Sequence, residues 1–220
     1  MQTLDTLIAQ AASLVWGPWL VFLLFGTHLY LTWRTGFIQR HLGHAIRLSV
    51  TKDEGSPGDI SQFGALATAL AATIGTGNIY GVAGAVLIGG PGAVLWMWLT
   101  GVFGIATKYG EALLAVKYRT VNANGQMSGG AMYVLQNALK ARWAGILFAV
   151  FTAIAAFGIG NMVQSNAIAD LVVAKKDLIP FAVEDWQIKV GVGIFLTVIT
   201  AAVILGGVSS ISKFCTVLVP

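Results

Sequence analysis

An apolar run at about 61–88 is long enough to cross a bilayer, yet its middle reads Thr73-Ile74-Gly75-Thr76-Gly77-Asn78. Glycine costs roughly 1 kcal/mol per residue in a helix interior. Here two glycines flank a threonine and precede an asparagine. A helix interrupted in hydrocarbon survives only where its freed backbone groups face protein, water or a ligand. The tetrad Gly75–Asn78 therefore predicts a break, and a break at membrane depth is a candidate site for something polar or charged.

Composition supports the premise of a membrane chain. Hydrophobic residues make up 56% and charged residues 10% of the chain, mean hydropathy is +0.78, and a soluble domain carries about 25% charged residues. One cysteine, Cys215, excludes an intrachain disulfide framework and a cysteine-based metal site. The net charge of +4 is spread among loops, so it is no nucleic-acid signal. His28, His41 and His44 lack the spacing of a metal site. The tryptophans mostly stand near predicted span ends, as an aromatic belt would. The first apolar run has no Lys or Arg before it and ends in Thr32-Trp33-Arg34, so it reads as a retained span and not a signal peptide.

The fold class this predicts is all-α, a polytopic membrane helix bundle. Five segments reach the roughly 20 residues a crossing requires: about 13–33, 61–88 (discontinuous), 92–117, 143–172 and 188–207. A sixth begins near 210 and stops at Pro220 without a polar tail, which predicts that residues 1–220 are the N-terminal part of one larger transmembrane domain. Arg34, Arg40, Arg47, Lys52, Lys117, Arg119, Lys140, Arg142 and Lys213 fall in alternate loops, nine of the thirteen basic residues. Those loops are expected to be cytoplasmic and the N-terminus outside. Lys175, Lys176 and Lys189 count against that orientation. Between the third and fourth segments, Asn122-Ala123-Asn124-Gly125 is a turn signal. The stretch Gly129 to Ala141 reads either as an interfacial amphipathic helix or as a loop packed under the bundle.

At the break, the downstream half-helix begins near Asn78 with unpaired N–H groups and a positive dipole end, which favour a carboxylate. The upstream half ends near Ala72 and Thr73 with free carbonyls, which favour a small cation. Thr76 adds a hydroxyl and Asn78 an amide. The alternative is that Gly75 and Gly77 only permit tight helix packing, with Gly77 and Gly81 as a small-xxx-small pair. The fourth segment holds Gly158, Gly160, Asn161, Gln164, Ser165 and Asn166. Asn161, Gln164 and Ser165 share a helix face by spacing, with Asn166 pointing elsewhere. Gln164 is a candidate to meet a substrate ammonium, or else an interhelical hydrogen bonder like Asn161. Lys108 and Glu111, at i and i+3, form a structural pair or a relay. Asp170 is expected at the interface.

The runs Ala71-Ala72-Thr73-Ile74-Gly75-Thr76-Gly77-Asn78-Ile79, Gly89-Gly90-Pro91-Gly92-Ala93, Lys108-Tyr109-Gly110-Glu111, Met127-Ser128-Gly129-Gly130-Ala131-Met132-Tyr133 and Gly160-Asn161-Met162-Val163-Gln164-Ser165-Asn166 resemble the alanine or glycine:cation symporter family, over roughly residues 15–220. The resemblance implies a leucine-transporter-like fold of two inverted five-helix repeats, of which only the first is present, preceded by one extra helix. It implies a multi-pass protein of a bacterial-type inner membrane that moves a small amino acid with sodium or a proton and needs no other cofactor. By the same resemblance, Gly75, Thr76, Gly77 and Asn78 are the unwound substrate-binding segment, and Gln164 lies on the helix that contacts the substrate amine. The second half, or a partner chain, is expected to complete the sodium site begun by Ala72 and Thr73. An enzyme is not expected, since no nucleophile–base or metal cluster stands in the spans. A channel is less expected, since the polar residues cluster at one depth.

Overall fold

The span expected at 13–33 lies in one helical stretch, Asp5–Arg34, with a turn within it. α1 (Gln2–Val15) and α2 (Pro18–Arg34) meet at Trp16-Gly17. Proline has no N–H to give and suits a first helical position, so Pro18 starts a new helix. A Cβ on Gly17 would lie 3.0 Å from the Ser13 carbonyl oxygen, a tight contact. The computed structural model describes residues 2–51, 58–178 and 183–220. Lys52, one of the orienting basic residues, lies outside them.

A 3₁₀ turn (Ile38–His41) and α3 (Leu42–Val50) come next. α4 (Gln62–Thr73) is capped by Ser61, whose Oγ accepts the Gly64 N–H at 3.1 Å. Beyond the break come a π-turn (Gly77–Gly81), α5 (Val82–Gly89) and α6 (Gly92–Lys117). A small hairpin pairs β1 (Thr120–Val121) with β2 (Met127–Ser128), Thr120 opposite Ser128. Its turn is the one read at Asn122–Gly125. The Asn122 Oδ1 accepts the N–H groups of Asn124 and Gln126, both at 3.0 Å, and Gly125 has φ +77.

The chain continues as α7 (Ala131–Asn137), α8 (Arg142–Ala155), a π-turn (Ala156–Met162), α9 (Val163–Ala174), a 3₁₀ turn (Lys176–Leu178), α10 (Asp185–Ile204) and α11 (Gly207–Leu218). Within 129–141 the helical part is the short α7. Gly130 at φ +110 and Lys140 at φ 54 bound it, and the short α7 packs half-buried against α6 and α8.

Among the described residues three helical stretches are long and apolar enough to cross a membrane: Asp5–Arg34, Arg142–Ala174 and Asp185–Ile204. The pair Gln62–Thr73 and Gly77–Gly89, bent by 56°, makes a fourth if it is one broken span. α6 has 26 residues but does not meet that apolarity, with Lys108, Glu111 and Lys117 in its second half. Many large apolar side chains are exposed. Leu87 and Ile88 are 86% and 92% exposed, whereas the buried apolar residues among those described are Ala67, Ala106, Ala169, Ile188 and Cys215. Such a surface would aggregate in water and suits lipid.

Contacts fix the order of the helices. α2 and α6 run parallel, with Phe25 edge-on to Phe103 (5.9 Å), His28 Nδ1 2.6 Å from Thr107 Oγ1, and Leu31 on Gly110. Gln39 folds back to donate to Thr32 Oγ1 (3.0 Å) and the Val102 carbonyl (3.1 Å). α4 crosses α11 where Gly64 meets Ser212, leaving no room for a Cβ. Asp59 Oδ2 accepts the Met127 N–H at 3.0 Å, so the start of α4 and the hairpin share one end of the bundle. At the other end, Lys189 of α10 pairs with Asp170 of α9 at 2.8 Å. There Lys176 also pairs with Asp185 at 2.9 Å. The hydrogen bond and then the charge of Asp185 hold the Lys176 ammonium above the usual lysine range.

A Cβ at Gly145 of α8 would lie 2.7 Å from the Met132 carbonyl oxygen, a backbone atom. Gly145→Ala is thus expected to lower stability by about 1–3 kcal/mol, despite alanine's higher helix propensity. Gly26→Ala, where a Cβ meets nothing within 4 Å, is expected to leave it unchanged or raised. Apparent melting temperatures in detergent check both.

Candidate binding site at the broken helix

α4 stops at Thr73 because Ile74 turns extended, at φ −78 and ψ 119, with its N–H still donating to the Leu70 carbonyl at 2.9 Å. In a continuous helix the Thr76 N–H would donate to the Ala72 carbonyl. Instead it donates to Oε1 of Gln164, in α9, at 3.0 Å. The Ala72 carbonyl thereby loses its intrahelical donor, and an amide 88 residues away fills the gap. Gly75 suits the same contact, since a Cβ there would lie 3.0 Å from Gln164 Nε2 and press on the amide. The helix resumes with the Asn78 N–H donating to the Gly75 carbonyl at 3.1 Å and passes through the π-turn at Gly77–Gly81.

The second π-turn, Ala156–Met162, lies directly before Gln164. Such turns insert a residue, rotate the downstream helix about its axis and are frequent at functional sites. Gly158 and Gly160, weak helix formers, fall inside it. The faces of α9 then divide. Gln164 points at the break. Asn161 and Ser165, hydrogen-bonded at 3.2 Å, turn toward α10 and line a groove of about 590 Å³ with Thr197 and Thr200. Val163, Asn166, Ala167 and Asp170 face a cavity of about 530 Å³ whose other wall is Thr76, Gly77, Tyr80 and Gly81.

Residues 1–220 match the model of the sodium:alanine symporter family. The chain belongs to that family. It is 52% identical over 222 residues to the sodium/alanine symporter AgcS of Methanococcus maripaludis, an alignment covering 98% of this chain and 47% of the relative. It is 36% identical to the amino-acid carrier protein AlsT of Bacillus subtilis (98% and 44% covered). It is 34% identical to a probable sodium/glutamine symporter, GlnT, of the same organism (96% and 43%). The chain spans about half the length of the curated relatives it matches. No solved structure matches it.

In this member of the family the structure brings Gly75, Thr76 and Gln164 together, with Gly77 on the cavity beside them. Ala72 and Thr73 end α4 at the break, the Thr73 hydroxyl donating back to the Ala69 carbonyl at 2.7 Å. Asn78 is exposed and does not line the cavity. Gln164 was expected to turn its oxygen toward an ammonium, but that oxygen holds the Thr76 N–H. The face expected to unite Asn161, Gln164 and Ser165 is split, and Asn166, expected to point elsewhere, lines the cavity. The i,i+3 arithmetic placed Gln164 about 60° from Asn161, and those 60° separate the groove from the break. Lys108 and Glu111 close on each other at 3.0 Å, both exposed on α6, with no contact to the break. Sequence reading left Tyr80 out and took Gly81 only as a packing partner of Gly77. Their i+4 spacing from Thr76 and Gly77 was the available signal. Among the described residues no group of three or more His, Cys, Asp and Glu is placed to hold a metal.

Gln164→Ala leaves the Thr76 N–H unpaired, which is expected to cost about 1–3 kcal/mol. Hydrogen–deuterium exchange localises the effect: faster exchange at 74–81, with 163–174 unchanged. Equal acceleration in both segments would mean that Gln164 merely holds α9 in place.

Proposed function

We propose that this chain forms the broken-helix half of a secondary active transporter, a sodium- or proton-coupled symporter of small neutral amino acids such as alanine or glycine, with its N-terminus outside. One observation carries the reading: a helix of an apolar bundle opens at Ile74-Gly75, and a side chain from another segment holds the freed Thr76 N–H. The substrate carboxylate lies at the start of the downstream half-helix around Thr76, Gly77 and Asn78, taking the Thr76 N–H over from Gln164 Oε1 and the Asn78 N–H over from the Gly75 carbonyl, with the Asn78 side chain at the open edge of the break. The cation lies at the carbonyls of Ala72 and Thr73, of which the first has lost its helical donor. Alternating access comes from rocking the broken helix against its scaffold, as discontinuous helices of secondary transporters do. The names of the relatives, a sodium/alanine symporter and an amino-acid carrier among them, support the substrate class and sodium as the coupling ion.

The site is walled on one side. Ile74, Ile79 and Tyr80 are 60%, 66% and 65% exposed, so groups from outside this chain complete it. Those groups are the second half expected from sequence, or a partner chain. A half site with no opposite wall does not transport, and the chain alone is expected to be inactive.

The test is alanine uptake in transport-deficient cells by the chain alone and by a chimera carrying the remaining half of the Methanococcus relative. The chimera is expected to give saturable, sodium-dependent uptake and the chain alone none. In the chimera, Asn78→Ala and Gln164→Ala should each weaken apparent alanine affinity about tenfold. Unchanged affinity in both variants removes the site from the break. Ohmic current in place of saturable uptake makes the protein a channel.

A further inference from the structure

The connection between α2 and α4 holds a helix that the site at the break does not use. α3 (Leu42–Val50) lies beside α4, yet every residue in it except the half-buried Ser49 is exposed. Leu42, Ile46 and Val50 recur at four-residue spacing and are 49%, 58% and 62% exposed. At 100° per residue they form a stripe about 80° wide centred on Ile46. Arg47 stands about 100° and His44 about 160° round the helix from that centre, and Leu48 is the one large apolar residue on the far side. A helix with an apolar stripe and a basic flank lies along a bilayer surface, its stripe among the acyl chains and its charges at the headgroups.

The depth of α3 fits that placement. Trp33 and Phe37 are exposed aromatics at the end of α2, as at a span end that has reached the headgroups. The chain turns back at Gly36-Phe37, both at positive φ (64 and 63), and Gln39 fastens the turn to Thr32 and Val102. α3 therefore begins within a few residues of the interface, and α4 re-enters the bundle after it. Charge selects the lipid. Arg34, Arg40 and Arg47 follow one another with no Asp or Glu between Arg34 and Thr51. Among the described residues none of the three is in an ion pair, although Arg40 stacks on the Phe37 ring at 5.2 Å. Lys117, at the end of α6 just before the hairpin, adds a positive charge to the same end of the bundle. Asp59 stands there too and accepts the Met127 N–H, while Asp53 and Glu54 lie outside the described residues.

We propose that α3 and its neighbouring arginines form a binding surface for phospholipid of net negative charge. The guanidinium groups of Arg34, Arg40 and Arg47 meet the headgroup phosphates, and the stripe of Leu42, Ile46 and Val50 enters the acyl region. A zwitterionic headgroup offers the same phosphate with its charge cancelled, so the surface discriminates between the two.

The test places the chain in nanodiscs of phosphatidylcholine alone and of phosphatidylcholine mixed with phosphatidylglycerol, and follows hydrogen–deuterium exchange. Each basic residue near an anionic surface strengthens binding roughly fivefold. Exchange across 38–50 is therefore expected to be about fivefold or more slower in the mixed discs, with 185–204 unchanged. Changing Arg40→Gln and Arg47→Gln together should abolish that difference, and changing both to Lys should keep most of it. Lys175→Gln, at the other end of the bundle, should leave it whole. If the double glutamine variant does not fold, Arg47→Gln alone should lower the difference. Equal exchange in the two lipids, or a difference that survives loss of the arginines, overturns the proposal. So does equal protection by glycerol phosphate added to phosphatidylcholine discs, which would make this a site for a small soluble anion. In the chimera with the Methanococcus half the lipid difference is expected to persist. Protection of 38–50 there in both lipids alike would mean that protein, not lipid, covers α3.

Discussion

The bond from the Thr76 N–H to Gln164 Oε1 is the interaction on which the arrangement of this chain depends. An unpaired backbone donor in hydrocarbon costs several kcal/mol, so a helix cannot open at membrane depth without something to receive what it releases. Gln164 receives it from another segment. That one bond explains the glycine at 75, which clears space for the amide. It draws away the Thr76 donor that a continuous helix would give the Ala72 carbonyl. It also ties α9 to the break, which brings Asn166 and Asp170 to the cavity wall.

The π-turn at Ala156–Met162 is the second half of the same device. A regular helix from Arg142 to Ala174 would advance each polar residue by 100°. The extra residue shifts the phase once, just before Gln164, so that three polar directions leave the helix within ten residues. Gln164 faces the break, Asn161 and Ser165 face α10, and Asn166 with Asp170 faces the cavity. Gly158 and Gly160 sit where the shift occurs, and neither has a neighbour within 3.5 Å of a would-be Cβ. Close packing therefore does not explain them, while tolerance of a widened turn does.

Much of the fold was legible because membrane helices announce themselves by long apolar runs, and the break announced itself by glycines where a helix former belongs. The start of α4 at Gln62, the break after Thr73 and the turn at Asn122–Gly125 all stem from local chemistry. Three things were not legible. The division at Trp16-Gly17 needed more weight on Pro18. The helix read over 129–141 rested on apolar spacing alone, and Gly130 at positive φ cut it short. The faces of α9 were misassigned because spacing rules assume an unbroken 3.6-residue period. In the site, Gln164 was legible as a residue and not as an orientation, because which end of an amide faces a ligand is set by its other partner, here an N–H 88 residues away.

Placing an anion and a cation on the two faces of one break also explains how their binding would be coupled. On the proposed reading, a carboxylate at Thr76 and Gly77 and a cation at Ala72 and Thr73 sit a few residues apart across the opening. Two opposite unit charges about 5 Å apart attract by about 3 kcal/mol at an effective dielectric of 20. That corresponds to roughly a hundredfold gain in affinity of each for the site already holding the other. In water the same pair would gain about a quarter as much. Coupling of useful size thus requires the break to lie where water is scarce, and this places it inside an apolar span and not in a loop. The apolar flanks Ala65–Ala71 and Val82–Leu87 then serve the chemistry as well as the crossing. They supply the low dielectric in which a short gap in a helix can link the binding of a zwitterion to that of an ion.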